Sequence, residues 1–560
     1  MSTSSVSSQD SSMTATDDPY IGENTRLLPK PAQDRKSSPQ YATGNKIFGL
    51  WQLGALVGIL LAYADTSLVW ATHETIASRF DALQNSSWMM TAFTIGYFVT
   101  LPMYKRLCDT FGNLKALLVA YSTFCVGSTL CGIGQTYWQV ILGRIITGFG
   151  ASGMVSLASV IIAEISEPAD VAVLRSYVNI ASTIGLSGGG PLGGYLAQAI
   201  GWRWLFLGQV PIAIACGALI ASVLLPKPQE RENERRQELE EENTQHLAFD
   251  FPGAVTLAIA TASLLAAFDL HNSHSCEDAI VYALLLVGAL SAIAFLLFET
   301  FPGNRELLMP LRLLRTEIGA FCAGQLLIVA SGYGFVSQIP PYFANTQGAS
   351  DAEGGERTIP FSIGNAVGAL LAGQVIKRLG YYKRLSIISL FFCIANMLVI
   401  LLRWSYSIDA WGSVLTTFPF GFFGGVILSA QFVGLYHRSS TNDIVTAISM
   451  YYMSQQVGIA LGISFSSGLL RRQLKITLYK VMADIPGSTE IIKSILEDSS
   501  ALIEFPENIQ LLARQAYLGS FWVVPVLALS AQLLTILPVI STIEHVLDFS
   551  AKGITVSAEH

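Results

Sequence analysis

Apolar runs long enough to cross a bilayer recur about fourteen times between Gly49 and Ile540, taking roughly 20 residues per 30 Å of hydrocarbon. No other feature constrains the fold so tightly. Backbone polar groups in lipid find no water, so a spanning run must close its hydrogen bonds internally as a helix. The expected fold class is an all-α membrane protein. Its spans read as about 48–71, 87–104, 116–134, 137–162, 176–197, 204–225, 253–270, 279–299, 317–339, 358–376, 385–403, 411–435, 446–468 and 518–541.

Charge distribution sets the orientation. Charged residues are 13% of the chain against 51% hydrophobic, about half the share of a soluble protein, and they collect between the runs. The net charge of −7 therefore describes tails and loops, and no nucleic-acid partner is expected. With the N-terminus in the cytoplasm, 22 of the 33 Lys and Arg lie on cytoplasmic segments and 10 opposite. Six of those ten fall in one long loop, 469–517, and long loops cross largely regardless of charge. Arg144 lies inside a span. One missed helix would invert every later loop and destroy this bias. A candidate glycosylation site, Asn85 of Asn85-Ser86-Ser87, falls on the non-cytoplasmic side, close to Trp88 at the membrane.

Seven cysteines show no CxxC pair and no His/Cys metal spacing. A disulfide framework and a metal site are both unexpected, and thiols inside apolar runs behave as small hydrophobes. Residues 1–47 are rich in Ser, Thr, Asp and Pro and read as a disordered cytoplasmic tail. The first span is expected to serve as the insertion signal. The tail carries Glu23, Leu27 and Leu28 in the spacing of an acidic dileucine signal. Two explanations stand side by side: a sorting signal bound by adaptors, or a chance match.

The chain also repeats itself. Lys105-Arg106-Leu107-Cys108-Asp109-Thr110-Phe111-Gly112-Asn113-Leu114-Lys115 follows the second span, and Lys377-Arg378-Leu379-Gly380-Tyr381-Tyr382-Lys383 follows the tenth. Each sets a charge three residues before a glycine and a lysine three after it. The spacing divides the chain into an N-terminal six-helix half, 48–225, a charged cytoplasmic linker, 226–252, two extra helices, 253–299, and a C-terminal six-helix half, 300–541. A cytoplasmic tail, 542–560, closes it.

Four stretches carry candidate chemistry. Leu61-Ala62-Tyr63-Ala64-Asp65-Thr66-Ser67-Leu68-Val69 places a carboxylate inside a span, where an ionised group is costly unless it faces a partner or water. Asp65 falls roughly 9 Å from the outer end of its helix and Arg144 of Gly143-Arg144-Ile145-Ile146-Thr147-Gly148-Phe149-Gly150 roughly 9–12 Å, so a charge pair is geometrically open to them. The alternatives are that Asp65 merely snorkels into water and that Arg144 only anchors the bundle. Gly185-Leu186-Ser187-Gly188-Gly189-Gly190-Pro191-Leu192-Gly193-Gly194 would ruin a soluble helix. In a membrane it permits close packing and a bend of the kind a rocking interface needs. The fourth is the loop with Asp109 and Gly112, repeated at Lys377, Arg378 and Gly380.

These motifs resemble the fourteen-helix drug:proton antiporter branch of the major facilitator superfamily, and within it the fungal vacuolar basic amino-acid permeases and multidrug efflux transporters. The resemblance covers about 48–541. It implies the major facilitator fold, a proton-coupling role for Asp65 and Arg144, and an antiporter motif at Gly185, Gly190, Pro191, Gly193 and Gly194. It also implies a cytoplasmic gating loop at Asp109 and Gly112, with its repeat at Lys377, Arg378 and Gly380. Here the chain departs from the family pattern, carrying Lys105 for a glycine and Asn113 for an arginine.

The implied function is proton-coupled antiport of small organic solutes out of the cytoplasm: basic amino acids into the vacuole, or drugs and secondary metabolites across the plasma membrane. A membrane sensor that kept the fold and lost the cycle is a third reading, motivated by the altered loop. The partners are a small-molecule substrate, protons and the lipid bilayer. No cofactor is expected, the proton gradient supplying the energy, and no nucleophile or phosphate loop points to an enzyme. Asn179, Gln209, Gln325, Gln338, Asn365, Asn396, Gln431, Gln455 and Gln456 are candidates to line a cavity, each equally able to serve as interhelical glue. Glu74 and Asp269 are the acidic groups near the outer rim.

Overall fold

The computed structural model describes residues 45–542, apart from 83–85, 87, 166–167, 225–247, 274–277, 302–304, 308, 350, 407, 441–442, 484, 486–487 and 498–504. The candidate sorting signal, Asn85 and most of the charged linker lie outside the described residues, as do the side chains of Glu74 and Asp269.

The N-terminal helices are α1 (Asn45–Ser78), α2 (Trp88–Thr100), α3 (Met103–Phe111), α4 (Asn113–Ile133), α5 (Tyr137–Ile165), α6 (Pro168–Ala199), α7 (Trp202–Leu207) and α8 (Gln209–Leu224). A short strand, β1 (Ala248–Phe249), leads into α9 (Phe251–Ser273) and α10 (Asp278–Thr300) and pairs in parallel with β2 (Arg305–Glu306) after them. The rest comprises α11 (Leu311–Leu314), α12 (Glu317–Val336), α13 (Ile339–Gln347), α14 (Asp351–Glu356), α15 (Ile359–Leu379), α16 (Lys383–Arg403), α17 (Ala410–Arg438), α18 (Ile444–Val481), α19 (Ser488–Glu497), α20 (Glu507–Ser520) and α21 (Val523–Ser541).

All fourteen expected spans fall on helices. Ten stretches among the described residues are by themselves long and apolar enough to cross a membrane. The other four expected spans lie on α2–α3, α6, α9 and α18. Four expected single spans contain a break: 317–339 between α12 and α13, 518–541 between α20 and α21, 87–104 and 204–225. Pro102, with no N–H to donate and a ring that crowds the preceding turn, separates α2 from α3, and Gly208 separates α7 from α8. Helix starts follow local chemistry: Asp250 Oδ1 accepts from Gly253 N at 3.1 Å and Asp409 Oδ1 from Gly412 N at 2.7 Å, capping α9 and α17.

Packing follows one scheme twice. In the N-terminal set α1 packs along α6 and α8, α2 along α5, and α4 along α5. In the C-terminal set α12 packs along α18 and α21, α15 along α17, and α16 along α17. Across the two sets α6 lies against α15. The α9–α10 hairpin packs through α9 on α2, and α10 shows Leu286, Leu290, Ile293 and Leu297 to the outside, as a lipid-facing helix must.

The repeated loops both end their helices on a glycine of positive φ. Gly112 N donates to Cys108 O at 2.7 Å with φ 80°, and Gly380 N to Ile376 O at 2.8 Å with φ 71°. Gly380 is in the left-handed α region at ψ 4° and Gly112 in the glycine-only region at ψ 155°, where a Cβ costs on the order of 1–3 kcal/mol. Gly112→Ala, in open space, should show that backbone strain alone as a lowered thermal midpoint in detergent. An unchanged midpoint would remove strain as the reason for glycine there.

The long segment 469–517 is largely helical among its described residues. The helix α18 runs on to Val481, and with α19 and α20 it buries Leu478, Met482, Ile492, Ile495, Ile509 and Ala513 in a small core of its own. Leu474, Leu478 and Met482 recur at four-residue spacing among polar neighbours. That is an amphipathic face, invisible to a search for wholly apolar runs.

Candidate functional site

The glycines of α6 decide where Asp65 stands. A Cβ at Gly185 or Gly189 would sit 2.4 Å from Leu60 O or Ala64 O on α1, so the two backbones touch in the turn that leads into Asp65. Gly193 is similarly tight against Leu68, Gly190 approaches Ser67 at 3.3 Å, and Gly188 and Gly194 face open space. Pro191 lies inside the helix. Helix α5 is held in the same way: a Cβ at Gly148 would meet Phe93 O and one at Gly150 would meet Phe124 N, each at 2.3 Å.

These contacts bring Asp65 and Arg144 together. Arg144 Nη1 donates to Asp65 Oδ2 at 2.7 Å, and both residues are only 1% exposed. Gln209 Nε2 on α8 donates to Asp65 Oδ1 at 3.2 Å and to Leu205 O at 2.9 Å. Arg144 Nε donates to Met89 O at 3.3 Å, and its guanidinium lies 4.5 Å from the Phe93 ring centroid. Removing two charges from water costs several kcal/mol per ion and is offset only by good geometry with the remaining polar atoms satisfied. Here the carboxylate accepts two hydrogen bonds, one from Arg144 on α5 and one from Gln209 on α8, and the aromatic face covers the cation. Such a pair can hold a proton-exchangeable group out of water until a movement of α1, α5 or α8 opens it.

The opposite face of α6 meets the other half. Ser176 Oγ donates to Ala369 O at 2.6 Å, Asn179 Nδ2 to Asn365 Oδ1 at 2.9 Å, Thr183 Oγ1 to Asn365 Oδ1 at 3.2 Å, and Ser187 Oγ to Ser362 Oγ at 2.6 Å. The spacing 176, 179, 183, 187 is one helical stripe. Thus the glycine face is buried within its own half, and the seam between halves is a polar ladder, not a glycine zipper. Where α6 begins and α15 ends, Lys377 pairs with Asp170, both about half exposed. Asp109 and Arg378 are exposed at their helix ends, and Gly112 and Gly380 form the caps described above.

Other polar candidates divide. Gln325 Nε2 donates to Gln455 Oε1 at 3.3 Å and Gln455 Nε2 to Tyr63 Oη at 3.5 Å, joining α12, α18 and α1. Asn396 donates to Thr416 O and Gln338 to Ser337 Oγ, which serves packing inside the C-terminal set. The residue missed in the sequence is Arg175. It lies one residue before the expected span 176–197, where a charge is ordinary, but α6 already begins at Pro168 and Arg175 is buried at 6% exposure. Pro168, a residue suited to a helix's first turn, was the available signal.

Among the described residues no group of three His, Cys, Asp or Glu side chains is placed to hold a metal ion. A helical bundle of repeated packing, with a polar seam between its sets and a buried charge pair in one of them, is the build of a secondary membrane transporter. The sequence profile of the Major Facilitator Superfamily matches residues 55–463, and the chain belongs to that superfamily. It is 31% identical over 83% of its length to the vacuolar membrane amino acid uptake transporter fnx2 of Schizosaccharomyces pombe, covering 79% of that protein. It is 26% identical to the multidrug resistance protein fnx1 of the same yeast, over 91% of this chain and 94% of that one. Vacuolar basic amino acid transporter 2 of Saccharomyces cerevisiae is 24% identical, over 78% and 89%. In structure the chain resembles the human organic anion transporter MFSD10, with a TM-score of 0.53 at 13% identity, over 86% of this chain and 98% of that one. That likeness is one of fold.

Proposed function

We propose that this protein is a proton-coupled antiporter that moves basic amino acids from the cytoplasm into the vacuole. The observation that carries the coupling is the Asp65–Arg144 pair, buried and braced by Gln209. While the two touch, Arg144 and Gln209 occupy both carboxylate oxygens and the group is closed off from water; parting the pair would open it. Protonation from the acidic side would then be tied to the change of access, with substrate exchanged against the proton. The vacuolar amino-acid reading is supported by the relatives fnx2 and vacuolar basic amino acid transporter 2. Efflux of drugs or metabolites at the plasma membrane is the second reading, supported by fnx1.

The test is uptake of radiolabelled lysine, arginine and histidine into acid-loaded vesicles holding the purified full-length protein. Uptake that collapses on adding an uncoupler is the expected result. No uptake by folded protein, beside uncoupler-sensitive transport of drug cations, would replace the first reading with the second.

A further inference from the structure

Among the described residues two arginines are buried in the bundle, and only one of them pairs with a described carboxylate. Arg144 has Asp65. Arg175 lies about 10 Å along α6 from Pro168, counting 1.5 Å per residue, in the region where α6 meets the C-terminal set. Its Nη1 donates to Tyr452 Oη on α18 at 2.6 Å, and its guanidinium carbon lies 4.1 Å from the Phe432 ring centroid on α17. The Tyr452 hydroxyl is also within 2.7 Å of Ser159 Oγ on α5. Among the described residues no carboxylate pairs with Arg175, and its Nε has no acceptor.

A buried guanidinium held by one phenol and one ring is incompletely compensated. Both groups that cover it belong to the other half. When the halves part at the cytoplasmic face, Tyr452 and Phe432 withdraw together and the planar fork of N–H donors faces the opened cleft. The ligand that matches such a fork is a carboxylate, bound through two parallel charge-assisted hydrogen bonds.

We propose that Arg175 binds the carboxylate of the transported solute in the cytoplasm-open state, and that Tyr452 and Phe432 take the carboxylate's place when that face closes. The proposal rests on the amino-acid reading above and narrows it: the carried species is an amino acid and not the corresponding amine.

Competition against labelled arginine uptake tests it, with unlabelled arginine and agmatine, its carboxylate-free counterpart, as competitors. Wild type should prefer arginine by about tenfold or more, the equivalent of a charged hydrogen bond. In Arg175→Gln the preference should collapse to near parity because arginine weakens and agmatine does not. Arg175→Lys, which keeps the charge and loses the fork, should retain part of it and carries the test if the glutamine variant does not fold. A packing role alone would weaken both competitors together. Unchanged preference in a folded Arg175 variant overturns the proposal and leaves the amino-acid reading standing. Wild type that accepts agmatine as well as arginine overturns it too, and wild type that carries no amino acid at all removes both.

Discussion

Asp65→Asn is expected to abolish uncoupler-sensitive uptake, lowering it by about 100-fold or more while the protein still reaches the membrane. The estimate follows from the pair's geometry. Asn keeps the shape and the contact with Gln209 but leaves Arg144 charged at 1% exposure with no counter-ion. Breaking a buried pair from one side costs about 3–5 kcal/mol. Some of that will appear as lower thermal stability, so the single variant does not separate coupling from folding. The double variant Asp65→Asn/Arg144→Gln does, because it removes both charges. Its thermal midpoint should recover most of the loss and its proton-driven uptake should not. Asp65→Asn that keeps full uncoupler-sensitive uptake would exclude this carboxylate from the coupling path.

The second large effect is expected inside the glycine run of α6, where neighbouring residues should behave oppositely. Gly189→Ala drives a methyl to 2.4 Å from the Ala64 carbonyl oxygen. A backbone atom cannot turn aside as a flexible side chain can, so α1 and α6 must separate. Overpacking of this kind costs about 1–3 kcal/mol, and it displaces the Asp65 turn, so transport should fall along with stability. Gly188→Ala and Gly194→Ala meet nothing within 4 Å and should be neutral or stabilising, since alanine in a helix gains up to about 1 kcal/mol over glycine. Thermal midpoints and uptake for the three variants decide the matter. If Gly189→Ala matched Gly188→Ala in both, the glycines would not be holding α1 in place.

What could be read from the chain follows from what costs energy in lipid. Asp65 and Arg144 stand out because a charge within an apolar run is conspicuous, and equal depth hinted at a meeting. The fourteen runs fall on helices for the same reason. Arg175 escaped because it sits just outside an apolar run, where charge is ordinary; its burial comes from Tyr452 and Phe432, more than 250 residues away in sequence. The direction in which the α6 glycines face was also hidden. Composition marks a close approach but does not name the partner, and only the offset between the 185/189/193 stripe and the 176/179/183/187 stripe distinguishes α1 from α15. Proline at 102 marks the α2–α3 break, although the expected span 87–104 runs straight across it. Residues 469–517 read as a loop because their helices are amphipathic, with apolar positions spaced for a small local core.

The longest of these helices has a mechanical consequence. With 38 residues, α18 extends about 57 Å, nearly twice the thickness of the hydrocarbon core. Near one end it carries Tyr452, and at the other it supplies Leu478 and Met482 to the core shared with α19 and α20. A continuous rod cannot swing at one end alone. A tilt about a point within the bundle that drew Tyr452 away from Arg175 would carry Leu478 and Met482, and the small core they share with α19 and α20, in the opposite sense.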